Sequence, residues 1–250
     1  MRSIRLERVG VSHSGRSAPA LDGVDVELRP GTITAVVGPS GAGKSTVFQL
    51  LLRFYDPQEG TVRVGGVDIR EVDPADLRRR VGVLFQDFAH YELSARDNVA
   101  LGRTEREPTD DAVLAALRTA RADELVTAMP DGLDSIVGRL FEGGHDLSGG
   151  EWQRLALARL LFRDADIWVL DEPTASLDAE VEASVFADLR ALLHDRIGIV
   201  ISHRFSTVRS ADRVAVLEDG RVIELGTHDE LVGAGGTYAR LFELQAAGYR

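Results

Sequence analysis

Two groups of residues in this chain have the types and spacing to do chemistry: a glycine-rich run near the start, and a pair of acids far behind it. Gly38-Pro39-Ser40-Gly41-Ala42-Gly43-Lys44-Ser45 fits the pattern G-x-x-x-x-G-K-[ST]. Glycines at these places let the backbone curl so that successive N–H groups point inward, a nest suited to phosphate oxygens. A helical pattern starts at Lys44, and a helix N-terminus adds partial positive charge to the nest. The Lys44 ammonium would reach the β- and γ-phosphates of a nucleotide, and the Ser45 hydroxyl would bind Mg²⁺. Lys44 is also the only lysine in the chain. A compact ammonium suits such a crowded loop better than the planar fork of arginine, which gives a physical reason for lysine to survive here.

The acids end an apolar run, Ile167-Trp168-Val169-Leu170-Asp171-Glu172. At the end of a buried strand, Asp171 can hold the shell of a magnesium ion while Glu172 activates an attacking water. A third segment, Leu147-Ser148-Gly149-Gly150-Glu151, opens a helical run and forms a second anion-binding helix start. Each segment has a plainer reading when taken alone. They are a fortuitous glycine turn, two capping acids before Pro173, and an ordinary serine N-cap. Together they suggest that two helix starts serve one γ-phosphate from opposite sides of a pair of copies.

The elements that must position these residues follow from periodicity. Ile4–Val9 and Val24–Leu28 alternate as strands, and Ile33–Val37 reads as a strand buried on both faces. A helix is expected from Lys44 to Phe54. Gly65-Gly66 joins Thr61–Val64 to Val67–Ile69 as a hairpin, and Asp73-Pro74 caps a short helix to Arg80 before a strand at Val81–Phe85. From Ser94 to Arg163 the pattern is helical. Strands return at Ile167–Leu170, Ile197–Ile201 and Val214–Leu217, separated by a helix from Ala179 to His194. The expected fold is α/β, with a mostly parallel core sheet, an antiparallel N-terminal β subdomain and an inserted helical subdomain. The expected boundaries put residues 1–93 and 164–250 in the β subdomain and core, and 94–163 in the insertion.

Composition narrows the function classes. Hydrophobic residues make up 44%, enough for a buried core, so disorder as a class is excluded. The net charge of −11 repels nucleic-acid backbones, and the one basic cluster, Arg78-Arg79-Arg80, lies among Asp73, Asp76 and Asp87. No nucleic-acid partner is expected. There are no cysteines, so disulfides and thiolate metal sites are excluded. No apolar run approaches the ~18 residues that cross a bilayer.

With these motifs in this order, the chain resembles the nucleotide-binding domain of an ABC transporter over essentially its whole length. The phosphate loop spans Gly38–Thr46, a glutamine loop lies at Phe85-Gln86-Asp87, and the signature is Leu147–Glu151. The carboxylate strand, Ser176-Leu177-Asp178 and Ser202-His203-Arg204 follow. The resemblance implies a P-loop NTPase core that binds and hydrolyses ATP with Mg²⁺. It implies a dimer in which each ATP lies between the phosphate loop of one copy and the signature of the other. Gln86 would then contact Mg²⁺ and the attacking water, Asp178 would act across the dimer, and His203 would contact the γ-phosphate. Arg53-Phe54-Tyr55-Asp56-Pro57, Asn98-Val99 and Gly226–Leu231 are similar to exporters. In such exporters this domain commonly follows a membrane domain, so the chain is expected to be part of a longer transporter and to work at the cytoplasmic face of the membrane.

Two departures stand out. His13 takes the place of the tyrosine that usually stacks on adenine. Gly138–Asp146 is about three residues longer than the usual exporter pattern, in a region where loops tolerate insertion; Glu142 is the candidate there for a cross-subunit glutamate. Phe88–Leu93 is where a helix of the membrane domain should dock, and its aromatics read equally well as packing residues.

Overall fold

The computed structural model describes residues 3–15, 18–105, 107–141, 143–173, 179–202 and 204–248. Asp178, His203 and Glu142 therefore lie outside the described residues. The chain divides into two compact units. One comprises residues 1–81, 166–169 and 192–250, and the other 82–165 and 170–191.

The first unit begins with an antiparallel sheet of order β2-β1-β4-β5, made of β1 (Ile4–Val11), β2 (Leu21–Leu28), β4 (Glu59–Val64) and β5 (Val67–Asp68). β1 lies between β2 and β4, with Leu6 opposite Val26 on one side and Val62 on the other. Leu6 and Val62 are buried and Val26 is half-buried, so this cross-strand set fixes the register.

The second sheet has the order β10-β9-β3-β8-β7-β6. Its strands are β3 (Thr32–Val37), β6 (Val81–Leu84), β7 (Ile167–Asp171), β8 (Ile197–Ile201), β9 (Arg213–Glu218) and β10 (Arg221–Gly226). β3 runs parallel to both β8 and β9, and every residue from Ile33 to Val37 is buried, as the apolar run requires. β10 pairs antiparallel with β9. Their link, Asp219-Gly220, has φ of 47° and 76°, the two left-handed positions of a tight hairpin turn. The sheet is mostly parallel, as expected.

The helix from the phosphate loop, α1 (Lys44–Leu51), stops three residues short of the expected Phe54. Arg53 turns left-handed (φ 49°), its N–H bonds to Leu50 O, and the Phe54 N–H reaches back to Gln49 O at 2.9 Å. That is a Schellman ending with arginine where glycine is usual, which is why the sequence hides it. Ile69, expected as strand, opens a single 3₁₀ turn, because the Asp68 carboxylate accepts the Arg70 N–H and closes the chain there. α2 (Pro74–Arg79) follows the Asp73 cap as anticipated.

The second unit is built around α6 (Gly149–Phe162), with α3 (Ala95–Ala100) and α4 (Asp110–Thr119) packed on it. α5 (Asp123–Thr127) and α7 (Ala179–Ala191) complete it. Leu155, Ala156, Leu157, Ala158 and Leu160 of α6 are all buried, so this helix is apolar nearly all round. The chain closes with α8 (Phe205–Arg209), α9 (His228–Ala234) and α10 (Thr237–Gly248).

Candidate active site

In the first unit the glycine-rich run links β3 to α1. Gly43 caps α1 in a left-handed conformation (φ 102°) and, being glycine, supplies no side-chain cap. A helix start without a side-chain cap suits an anionic guest. Side chains are excluded from the cradle by contact. A Cβ on Gly38 would lie 2.1 Å from Leu217 O, and one on Gly43 would lie 2.3 Å from Ala20 O. The loop is braced from below, since the Gly220 N–H of the β9–β10 turn donates to Ala42 O at 3.2 Å.

Lys44 is almost fully buried, and its Nζ donates to Gly38 O (2.7 Å) and Pro39 O (2.8 Å). The ammonium is thereby held over the curled loop by the loop's own carbonyls. Ser40, Gly41 and Ser45 are exposed on the same run, and Thr46 is buried. The fit to a polyphosphate rests on the glycine cradle, the uncapped helix start and the fixed ammonium.

His13 is placed by the backbone beneath it. The Gln58 amide bonds Ser12 twice, accepting its N–H at 2.7 Å and donating to its carbonyl at 2.9 Å. The His13 Nε2 then lies 3.4 Å from Thr46 Oγ1, and its ring meets Tyr55 edge-on at 5.5 Å. Tyr55 donates to Gln49 Oε1 at 2.8 Å, and burial pushes its phenol pKa up, so it stays neutral. The structure therefore brings His13 to the first turn of α1, beside the phosphate loop.

In the second unit, Asp171 ends β7 and Glu172 follows it, 8% exposed. Glu172 has φ 48°, a left-handed strain that a non-glycine residue holds only under outside constraint. Part of that constraint is visible: Gln153 of α6, itself buried, donates from Nε2 to Glu172 O at 3.1 Å. Sequence reasoning missed both Gln153 and Gln58. The available signal for Gln153 was a polar residue within the apolar body of a helix; Gln58 carried none.

Ser148 caps α6 and forms a full capping box with Glu151. The Glu151 carboxylate accepts the Ser148 N–H at 2.7 Å and the Ser148 hydroxyl at 2.8 Å. Gly149 is exposed and Gly150 half-buried. Gln86 is exposed in the segment after β6. Among the described residues, no cluster of histidine, aspartate and glutamate has the arrangement of a metal site. No helix of the described residues is long and apolar enough to cross a membrane.

Similarity to known proteins extends over most of the chain. Residues 21–175 match the ABC transporter family. The chain is 47% identical over 236 residues to an ATP-dependent lipid A-core flippase of Burkholderia thailandensis, covering 94% of this chain and 38% of that protein. It is 45% identical over 225 residues to ABC transporter B family member 28 of Arabidopsis thaliana, covering 90% of this chain and 31% of the relative. A solved structure of a bacterial Atm1-family ABC exporter with ATP bound superposes with a TM-score of 0.89 at 37% identity. That match covers 98% of this chain and 42% of the other. The chain spans less than half the length of each of these proteins. A glycine cradle ahead of α1, a serine-capped α6 and a match over well over half of its residues give one conclusion: this chain belongs to the ABC transporter family.

Proposed function

We propose that this chain is the ATP-hydrolysing motor domain of an exporter, working as two copies around two ATP molecules. The observation that carries the reading is the cradle at Gly38–Thr46, with its uncapped helix start and the ammonium of Lys44 held across it. The exporter assignment draws on relatives named as flippases and on the ATP-bound exporter it superposes on.

In this reading the backbone N–H groups of Gly41 and Gly43, with Lys44 and the Ser45 and Thr46 hydroxyls, hold the phosphates. Ser40 lies on the open rim of the loop. Ser45, Asp171 and Gln86 offer the hard oxygen donors that Mg²⁺ prefers; when bound, the ion neutralises charge on the transferring phosphate. The Glu172 carboxylate takes a proton from the attacking water, and Gln153 holds the backbone that carries it. Ser148, Gly149, Gly150 and Glu151 of one copy meet the γ-phosphate held by the other. Asp178 acts across the pair, and His203 contacts the γ-phosphate.

Docking of a membrane domain falls to a groove of 480 Å³ in the second unit, lined by Phe85, Phe88, Tyr91, Leu93 and Leu101 among others. Phe85, Tyr91, Leu93 and Leu101 are exposed, more apolar surface in one place than an isolated domain needs. The motor would sit at the cytoplasmic face of the membrane on a covalently attached or associated membrane domain.

If two copies form each site, the specific ATPase activity of the purified chain rises with its own concentration before it saturates. Steady-state assays across a dilution series check this; a specific activity independent of concentration down to high dilution counts against the paired site. The base contact gives a second expectation. Tyrosine offers more stacking area than imidazole, so His13→Tyr tightens ATP binding by about 0.5–1.5 kcal/mol. Titration calorimetry checks it, and no gain counts against His13 as the adenine contact.

A further inference from the structure

One face of the signature helix is given over to fastening the segment behind Gln86. Trp152, Ala156 and Arg159 stand at i, i+4 and i+7 on α6, and the helical C-cap Arg163 at i+11, which puts them on one side. The His90 ring lies flat on Trp152, with centroids 4.5 Å apart and planes at 3°. Arg159 Nη1 donates to Ala89 O at 3.4 Å, and its guanidinium sits 4.6 Å over the Tyr91 ring. Its Nε and Nη2 donate to the backbone and side-chain oxygens of Asn98, each at 2.9 Å. Asn98 is fully buried and donates in turn to Tyr91 O at 2.7 Å. Arg163 closes the far end on Gly102 O at 3.0 Å.

Arg159 is an expensive choice for this place. Burial pushes its pKa down, and the acceptors named above are neutral oxygens and a ring. An apolar side chain of similar volume would avoid that desolvation and commonly leaves a fold equally stable. Only the rigid fork of arginine, however, can grip a carbonyl, an amide side chain and an aromatic face at once. The residue is therefore better explained by the geometry it enforces than by the stability it adds. At the other end, Trp152 lies one turn from Ser148, and its backbone N–H donates to Ser148 O at 3.0 Å.

We propose that His90 and Arg159 are positioning residues that make the Phe88–Leu93 segment and the start of α6 move as one piece. Displacement of that segment by a docked partner then reaches Ser148 without slack, and closure at Ser148 is felt in the segment. The proposal rests on the reading that Ser148 meets ATP held by a second copy. It adds two residues, outside the phosphate contacts, through which docking and closure are exchanged.

Hydrogen exchange on the chain carrying Glu172→Gln tests this, with and without ATP and Mg²⁺. In that background, ATP should slow exchange in residues 88–93 and in 148–155 together, by about tenfold in each. Adding His90→Ala or Arg159→Met should keep the slowing at 148–155 and lose it at 88–93. Adding His90→Phe, which keeps a flat ring on Trp152, should restore it, and His90→Leu, of similar bulk without a flat ring, should not, an outcome that a merely space-filling role would not give. His90 is exposed, so its variants keep the test open should Arg159→Met fold poorly. Equal slowing of 88–93 in all variants overturns the proposal. No slowing of either segment in the Glu172→Gln chain removes the paired reading itself, and the proposal with it.

Discussion

Glu172→Gln should bind ATP and fail to turn it over, with hydrolysis reduced by about 10²–10⁴-fold, the usual contribution of a positioned general base. The amide is nearly isosteric with the carboxylate, so the packing around a residue that is 8% exposed is kept. It cannot accept a proton from water, and it carries no charge. The backbone restraint is also kept, because Gln153 bonds the Glu172 carbonyl. With the chemical step blocked, ATP-bound pairs accumulate, so light scattering should find dimer in Glu172→Gln with ATP and monomer without it. Unchanged hydrolysis would remove Glu172 as the base. Gln153→Ala provides an internal comparison: it frees the strained backbone and should lower turnover while leaving the carboxylate in place.

Lys44→Met should lose ATP binding itself. The Lys44 ammonium already sits against Gly38 O and Pro39 O, at the centre of the curl where phosphate oxygens would lie. A charged hydrogen bond is worth about 1.5–3 kcal/mol, so losing even one phosphate contact weakens binding roughly 10–100-fold. The substitution also leaves two loop carbonyls short of a donor, which loosens the loop before any nucleotide arrives. Lys44→Arg should fare little better, since a guanidinium fork cannot replace a compact ammonium in a space this enclosed. Fluorescent-nucleotide titration checks both; arginine restoring full affinity would contradict the steric argument.

Much of this was legible in the sequence because the features concerned are local. A β-branched run, a glycine-rich turn and a lysine at one helix start name the phosphate cradle with no knowledge of the fold. The Asp73-Pro74 cap was equally plain. Features that depend on distant partners were hidden. Gln58 matters because it clamps Ser12, 46 positions away, and Gln153 because it reaches Glu172, 19 positions away. The end of α1 was misplaced because arginine, with no glycine signal, adopts the left-handed terminus. The β9–β10 turn did carry a signal, Asp219-Gly220, and its brace on Ala42 could be seen only once the strands were paired. The Glu151 carboxylate closing on Ser148 did carry a local signal, the Ser-x-x-Glu spacing of a capping box.

The central claim is that the phosphate loop of one copy faces the signature of another. The chain has no cysteine, so two introduced ones would report without background. Ser40→Cys on one copy and Gly149→Cys on another, both at exposed positions, should be mixed in the Glu172→Gln background under mild oxidation. The account predicts a disulfide-linked species of twice the 27.2 kDa chain mass, formed with ATP and Mg²⁺ and absent without nucleotide. No cross-link with ATP, or the same yield without it, would contradict the paired site.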